Sequence, residues 1–372
     1  MKKLFIMLLA LFIVFTLVSC DDSSSSSSSS DNGTDGDGGG SASSTDWLCF
    51  TSTGDSTIAM SVTGTVDPLP SLEYSKDGST WTAFVIGTTT VDLADGEKVY
   101  FRGDNTTFAL AGSNYIQFTL TGSIAASGNI MSLVDKTCES KTIPADSCFK
   151  SLFMGCSALT SAPELPATTL TVGCYASMFQ GCTSLTTAPE LPATTLAEAC
   201  YSGMFNGCIS LTTAPELPAT TLTESCYEVM FQNCSSLAAS PDLPSTTLAD
   251  NCYTSMFAGC TSLTSAPELP ATTLAVRCYM NMFYHCENLT TAPELPATTL
   301  VEQCYNVMFN GCSGLTSIRV HFTDWNDAEN STTSWVNGVS ATGKFYYKSG
   351  LSPLTQDGTH YVPTNFTPSA TP

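Results

Sequence analysis

The chain has 372 residues, of which 42% are hydrophobic and only 12% are charged, and its formal net charge is −21. This length is sufficient for two or three modules with cores of their own. The excess of acidic residues argues against nucleic acid and against electrostatic attachment to anionic lipid, because both of these partners are negatively charged. We therefore expect no nucleic-acid partner.

The N-terminal residues have the pattern of an export signal. A basic segment, Met1 to Lys3, precedes an apolar stretch of 15 residues from Leu4 to Val18. The stretch is short for a membrane span and typical of a secretory signal. It ends in LVSC, which resembles a bacterial lipobox, and the resemblance implies a lipoprotein signal peptide over residues 1–19 and lipid attachment to Cys20. An ordinary secretion signal with a chance cysteine is the alternative.

Residues 20–45 consist almost entirely of Ser, Asp and Gly. Such a segment cannot bury a core, so we predict a flexible tether. Its aspartates loosely suggest a calcium loop, but Gly33 stands at a ligand position and Ala42 stands where the closing glutamate belongs. The linker interpretation is therefore preferred.

Residues 46–125 contain short alternating runs rich in Thr, Val, Tyr and Phe, separated by turn signals such as Asp77-Gly78. Six candidate strands follow from these runs: Trp47–Thr51, Thr57–Val62, Leu72–Ser75, Thr80–Val85, Lys98–Arg102 and Tyr115–Leu120. With no helical pattern between them, they predict a small antiparallel β-sandwich domain. Trp81 is either a core anchor or an exposed platform on which a sugar stacks.

A 26-residue repeat occupies most of residues 126–318. The segment APELPATTL begins at Ala162, Ala188, Ala214, Ala266 and Ala292, and the variant SPDLPSTTL begins at Ser240. A fixed period of this length is the signature of a solenoid, whose units bury their apolar faces by stacking. We count seven repeats, each with a pair of cysteines.

Each repeat predicts one short helix and one short strand. Apolar residues at helical spacing predict the helix, and in the unit 196–221 they are Leu196, Cys200, Met204 and Phe205. Gly or Asn before the second cysteine predicts a left-handed residue that ends this helix. A run such as Leu211–Ala214 predicts a strand, which Pro215 and Pro218 keep brief. The expected fold is an α/β solenoid of short parallel strands and short helices.

The repeat unit resembles the leucine-rich repeat of BspA-like bacterial surface proteins, in which an AF..C..L stretch accompanies a proline-bearing strand. The matching residues are Met204, Phe205, Cys208 and Leu211. The period is 26 rather than 23, methionine replaces alanine, and an additional cysteine precedes Tyr201.

The resemblance implies a monomeric, lipid-anchored protein of the bacterial outer membrane or cell surface. Its solenoid would adhere to, or bind, a host or neighbouring-cell macromolecule, either protein or glycan. The alternatives are a structural envelope lipoprotein without a specific ligand and a carbohydrate-binding lipoprotein that acts through the β-sandwich.

Fourteen of the seventeen cysteines form pairs eight residues apart. The pairs are Cys148/Cys156, Cys174/Cys182, Cys200/Cys208, Cys226/Cys234, Cys252/Cys260, Cys278/Cys286 and Cys304/Cys312. Three interpretations remain open: disulfides within a repeat, disulfides between adjacent coils, and two ladders of buried free thiols. Cys49 and Cys138 are a further candidate pair. Zinc is not expected, because CxxC spacing is absent and the three histidines are scattered.

Two more residue types recur in register. The acidic residues are Glu164, Glu190, Glu216, Asp242, Glu268 and Glu294, which stacking aligns as a solvated stripe or as a site for calcium or a basic ligand. The tyrosines are Tyr175, Tyr201, Tyr227, Tyr253, Tyr279 and Tyr305. We expect the tyrosines to be partly buried, and an exposed adhesive stripe is the alternative.

Residues 319–372 are predicted to form a C-terminal cap and an irregular tail from Ser349. An open solenoid requires a cover for its last coil, and the candidates are Trp325, Trp335, Phe345 and Tyr346. The sequence contains no nucleophile motif, no phosphate-binding loop and no HExxH. We therefore expect neither enzymatic activity nor a cofactor.

Overall fold

A computed structural model describes residues 46–110, 112–326 and 329–371. The predicted signal peptide, the tether and Cys20 lie outside these residues. Among the described residues, no helix is long and apolar enough to cross a membrane.

The part of the described chain that precedes the repeats consists of short strands. They are β1 (Leu48–Ser52), β2 (Ser56–Thr63), β3 (Leu72–Ser75), β4 (Thr82–Phe84), β5 (Thr90–Leu93), β6 (Lys98–Arg102), β7 (Tyr115–Thr121) and β8 (Ile124–Ser127). Six of them coincide with predicted strands. The other two, β5 and β8, are four residues long, and β8 is rich in alanine, so neither has a strong sequence signal.

These strands form two facing sheets. The first has the order β4-β3-β6-β1-β8 and the second has the order β5-β2-β7, and all of these neighbours pair antiparallel. Alternate residues of β2 point inward, as its burial pattern shows. Between the sheets, the ring of Phe118 lies 5.1 Å from Phe50 and 5.5 Å from Phe101.

The first sheet continues directly into the solenoid. Strand β9 (Leu159–Ser161) belongs to the first coil and pairs parallel with β8, after a short 3-10 helix at Ile130–Leu133. The ring of Phe153 stacks on Phe118 at 5.1 Å with an interplanar angle of 9°. The facing sheets thus cover the N-terminal end of the solenoid core, as open repeat stacks require.

The short helices predicted in each repeat do not form, and that part of the predicted fold class is wrong. In the coil at residues 173–182, alternate backbone N–H groups donate to the next coil, for example Tyr175 to Cys200 O at 3.0 Å. The N–H groups between them donate three residues back, for example Met178 to Tyr175 O at 3.1 Å. Half of the donors therefore bond between coils, so an α-helical i→i−4 pattern is replaced by successive turns.

The physical cause of the turns is a left-handed residue at every fourth position. In this coil the residues are Gly173 (φ 59°), Ser177 (φ 54°) and Gly181 (φ 73°). A right-handed helix cannot continue through a left-handed residue at every fourth position. The predicted left-handed position before the second cysteine is confirmed in all seven repeats, at Gly155, Gly181, Gly207, Asn233, Gly259, His285 and Gly311.

Parallel strands occupy another side of the coils. β10 (Thr291–Leu295), β11 (Ser317–Val320), β12 (Gly343–Lys348) and β13 (Phe366–Thr371) form one parallel sheet in this order. In the middle coils the pairing shrinks to single parallel bridges, such as Thr187 with Thr213. The two prolines that follow in each repeat lack an N–H donor, which explains why the pairing is brief.

Aromatic columns run through the core. The tyrosine rings stack 5.8–6.0 Å apart with interplanar angles of 4–9°. The phenylalanines from Phe153 to Phe309 stack beside them at 5.4–5.8 Å. Each of the six tyrosines is at most 2% exposed, so burial is complete rather than partial and an exposed tyrosine stripe is excluded.

The repeat pattern persists one coil further than the sequence analysis predicts. Left-handed residues recur at Asn330, Ser334 and Gly338, and Phe309 N donates to Trp335 O at 2.8 Å. This eighth coil is offset by 27 residues from its predecessor, so Trp335 takes the register position of Met308, and its ring lies 6.1 Å from that of Phe309. The extra residue and the absence of cysteine conceal it in the sequence.

The C-terminal residues close the core. Trp325, Trp335 and Phe345 are at most 1% exposed, as expected for a cover. The indole N–H of Trp325 donates to Pro353 O at 2.8 Å, and that of Trp335 donates to Tyr361 O at 3.0 Å. Tyr346 is instead half-buried. Strand β13 lies within the segment predicted to be irregular, so that prediction is wrong for residues 366–371.

Candidate functional site

The proline-flanked acidic residues of the coils define a surface that we call the acidic proline face. Its side chains are exposed in six consecutive coils, at Glu164, Glu190, Glu216, Asp242, Glu268 and Glu294. Glu164 and Glu190 line one groove, Glu190 and Glu216 a second, and Glu268 and Glu294 a third. In these three pairs of coils the acidic side chains are thus adjacent, in the register that the sequence indicates.

The outward direction of each carboxylate follows from a short alternating pattern. Around Glu216, the residues Pro215, Leu217 and Ala219 are buried, whereas Glu216 and Pro218 are exposed. Leu217 is 4% exposed and Ala219 is 1% exposed. In an extended segment successive side chains point to opposite sides, so the buried neighbours hold the glutamate in solvent.

The grooves between the acidic side chains have apolar walls. The groove between Glu164 and Glu190 has a volume of about 710 Å³. Its apolar lining consists of Ala162, Pro163, Leu165, Pro166, Ala188, Pro189 and Pro192. The groove at Glu190 and Glu216 measures about 400 Å³, and the groove at Glu268 and Glu294 about 350 Å³. Each groove therefore combines two carboxylates with proline and aliphatic surface.

The chain places basic side chains at both ends of this face. Lys141 lines the first groove beside Glu164. At the other end, Nε2 of His321 lies 2.5 Å from Oε1 of Glu294, and Arg319 pairs in register with Glu294 through β11. Among the described residues, Glu190, Glu216, Asp242 and Glu268 form no ion pair. These basic residues are not among the predicted site residues, and the rarity of lysine and arginine in this chain is the signal that could have identified them.

The arrangement of the acidic residues differs from a metal centre. In the described ranges, no group of three or more His, Cys, Asp or Glu side chains is placed to hold a metal ion. Calcium takes six to eight oxygen ligands, while each groove brings together two carboxylates. The face is thus better suited to a basic ligand than to a bare cation.

The cysteines lie in the core. All sixteen that the structure describes, including Cys49 and Cys138, are buried, and no disulfide joins them there. The second cysteine of each repeat donates its S–H to a phenylalanine carbonyl, which lies in the preceding coil for Cys182 to Cys312, as in Cys208 to Phe179 O at 3.1 Å, and in strand β7 for Cys156, which donates to Phe118 O. The same contact recurs from Cys156 to Cys312 at 2.9–3.1 Å. These thiols have a structural role within the core.

Burial suppresses the reactivity of the thiols. Desolvation raises the pKa of Cys208 to about 12 and that of Cys226 to about 11. A thiolate is the reactive form of cysteine, so these groups are poor nucleophiles at neutral pH. The tyrosine hydroxyls are also buried, and desolvation raises the pKa of Tyr201 well above its usual value.

Trp81 is half-buried and packs against other side chains of the sandwich. The guanidinium of Arg102 lies 3.7 Å from the centre of its ring, and Trp47 meets it edge-on at 4.8 Å. Arg102 in turn pairs with Glu73 at 2.9 Å. Because Arg102 covers one face of the indole, the contacts favour a packing role over a free sugar platform.

The stacked coils, parallel bridges and aromatic columns define a repeat-solenoid protein. Residues 146–290 and 249–328 match the family described as BspA type leucine rich repeat region, in six copies. The chain is therefore a BspA-like leucine-rich repeat protein. Comparisons with the curated proteins and with the solved structures find no match. Proteins with this repeat are commonly surface or extracellular proteins and binding scaffolds rather than enzymes.

Proposed function

We propose that this chain is an exported, lipid-anchored bacterial surface protein whose solenoid binds a protein partner. The observation that carries the proposal is the acidic proline face, which repeats one groove design along consecutive coils. A surface that extends over many coils suits a macromolecule better than a small substrate, because small molecules bind in enclosed clefts.

The distribution of chemical groups supports binding rather than catalysis. The thiols and tyrosine hydroxyls of the repeats are buried, and the exposed groups of the face are carboxylates, prolines and aliphatic side chains. Catalysis needs a nucleophile or an acid–base pair within reach of a substrate. Concave or grooved solenoid surfaces are instead typical sites of macromolecular recognition.

The anchoring part of the proposal depends on the N-terminal sequence. The lipobox-like LVSC implies lipid on Cys20, and the Ser-, Asp- and Gly-rich residues 20–45 would hold the described unit away from the membrane. Stable anchoring requires more than one acyl chain, which lipid attached to both the thiol and the new amino group of this cysteine provides.

Two measurements test this function, one on cells that carry the protein and one on the purified protein. Intact cells are treated with proteinase K, and we expect the chain to be cleaved there and to be released into the medium by Cys20→Ala. The purified protein is then titrated against immobilised extracellular-matrix proteins, where we expect saturable binding. Resistance to the protease on intact cells, together with an absence of saturable binding, would contradict the proposal.

A further inference from the structure

We infer that the acidic proline face takes an extended polypeptide segment that carries lysine or arginine at every second position and crosses the coils one after another. The inference rests on the proposed function and specifies the chemistry of the partner. It follows from four properties of the face: its unpaired charge, its apolar walls, its own basic ends and its spacing.

Charge and wall composition together select long basic side chains. The inner carboxylates form no ion pair within the described residues, and each groove is lined by proline and leucine. Lysine and arginine bury their alkyl stems on apolar surface and keep the charged group at the polar edge. A lysine laid in such a groove contacts the proline wall with its stem and the two carboxylates with its ammonium.

The chain itself provides the precedent for basic groups on this face. His321 contacts Glu294 at one end, and Lys141 lines the groove beside Glu164 at the other. Arg319 takes the register position next to Glu294 but turns to the ring of Tyr346, 4.7 Å away. Basic side chains thus fit the two ends, while the grooves at Glu190, Glu216 and Glu268 contain no basic residue of the described chain beyond Lys141 in the first.

The spacing of the coils determines how a partner chain aligns. In the aromatic columns, the ring centres of neighbouring coils lie 5.4–6.0 Å apart. An extended chain advances about 6.6 Å over two residues, and its alternate side chains point to the same side. Basic residues at every second position therefore meet successive grooves, and flexible lysine side chains absorb the remaining difference. In a run of consecutive lysines, every other one points away from the face.

The test uses two fluorescent ten-residue peptides of equal composition. One alternates lysine and threonine, and the other has five lysines followed by five threonines. Fluorescence anisotropy with the purified protein is expected to show at least about threefold tighter binding of the alternating peptide. The variant E190Q/E216Q/E268Q is expected to bind it about tenfold more weakly, since each exposed pair contributes modestly.

A matched control removes the same charge elsewhere. Glu198, Glu224 and Glu287 are exposed but do not line the grooves, so E198Q/E224Q/E287Q is expected to bind within about twofold of the unaltered protein. Thermal melting of both variants verifies that they are folded.

Three results would overturn the inference: no binding of either peptide at low salt, equal binding of both peptides, or equal weakening by the two variants. If the unaltered protein and E190Q/E216Q/E268Q bind a matrix protein with equal affinity, each of these results overturns the inference but not the proposed function. Loss of matrix binding by both variants would instead show that net charge, rather than the face, determines recognition.

Discussion

Left-handed residues recur three times in each coil, and many of them are not glycine. The equivalent central position is Ser177, Gly203, Val229, Ser255 and Asn281 in successive coils, each with φ between 48° and 62°. Left-handed backbone costs roughly 1–2 kcal/mol for a residue with a Cβ, and asparagine tolerates it better than most. A β-branched side chain is the least suited to it, so Val229 is a point of local strain.

Replacing Val229 with asparagine, the residue that the chain has at position 281, is expected to raise the free energy of unfolding by about 0.5–1 kcal/mol. Urea denaturation measures the change. Val172 is 43% exposed and is not among the left-handed residues, so Val172→Asn serves as the control and is expected to have no stabilising effect. A lower free energy of unfolding for Val229→Asn would contradict the presence of backbone strain at Val229.

The buried cysteines of the repeats give a second prediction at the scale of residues. Because the second cysteine of each repeat donates to a backbone carbonyl, we expect the repeat cysteines to remain reduced in the protein isolated without reductant. Denaturation without reductant, followed by alkylation and mass spectrometry, should label all fourteen. The native protein should react slowly with a thiol reagent. Unlabelled pairs eight residues apart would instead support disulfides within the repeats.

At the scale of elements, the successive turns of each coil show which features can be predicted from the sequence and which cannot. Cys174, Met178 and Cys182 point inward at a strict spacing of four residues, and this spacing suggested a helix. An α-helix has 3.6 residues per turn, so a strict four-residue period drifts around its axis. The inward residues are thus predictable from the sequence, whereas the backbone that presents them depends on hydrogen bonds between coils.

The strands of the sandwich and the alignment of the acidic residues in one row are also predictable from the sequence. Six strands of the sandwich and the single row of carboxylates follow from local alternation and from the period. The grooves and the basic ends do not, because they depend on how neighbouring coils pair. A register shift between Thr291 and Glu294 brings Arg319 opposite Glu294, and nothing in the local sequence indicates this shift.

The alternation across the acidic proline face is testable with two adjacent substitutions. Leu217 is 4% exposed and contributes to the core, so Leu217→Ala is expected to lower the free energy of unfolding by about 2–4 kcal/mol. Glu216 is exposed, and Glu216→Ala should change it by less than about 0.5 kcal/mol. Comparable losses from the two substitutions would mean that the outward and inward positions are wrongly assigned.

At the scale of the whole molecule, each coil bonds mainly to its two neighbours. Removing residues 188–213 joins Thr187 to Ala214 in the same register as the original Ala188. The shortened protein is expected to fold, with a urea m-value reduced in proportion to the lost surface. Removing only residues 188–200 breaks the columns and should abolish the cooperative transition. Cooperative unfolding of both deletions would argue against register-dependent stacking.

The buried thiols also predict how the whole molecule responds to alkali. An exposed thiol ionises near pH 9, while burial raises the pKa of Cys226 and Cys304 to about 11 and that of Cys174 to about 12. Below pH 9 both states keep these protons, so stability is unaffected. Above it the unfolded state loses them first, and stability falls. Melting temperatures between pH 7 and 10.5 should decline only above about pH 9; a decline already at pH 7–8 would contradict this cause.

The bonds between coils also determine how the protein yields to mechanical load. A pull applied at the two ends of the stack meets the coil interfaces in series, so the weakest outermost interface gives way before the others. Each coil that peels off releases up to about 90 Å of extended chain. If such a protein tethered a cell under shear, the length of the tether would increase in regular steps as successive coils unfolded.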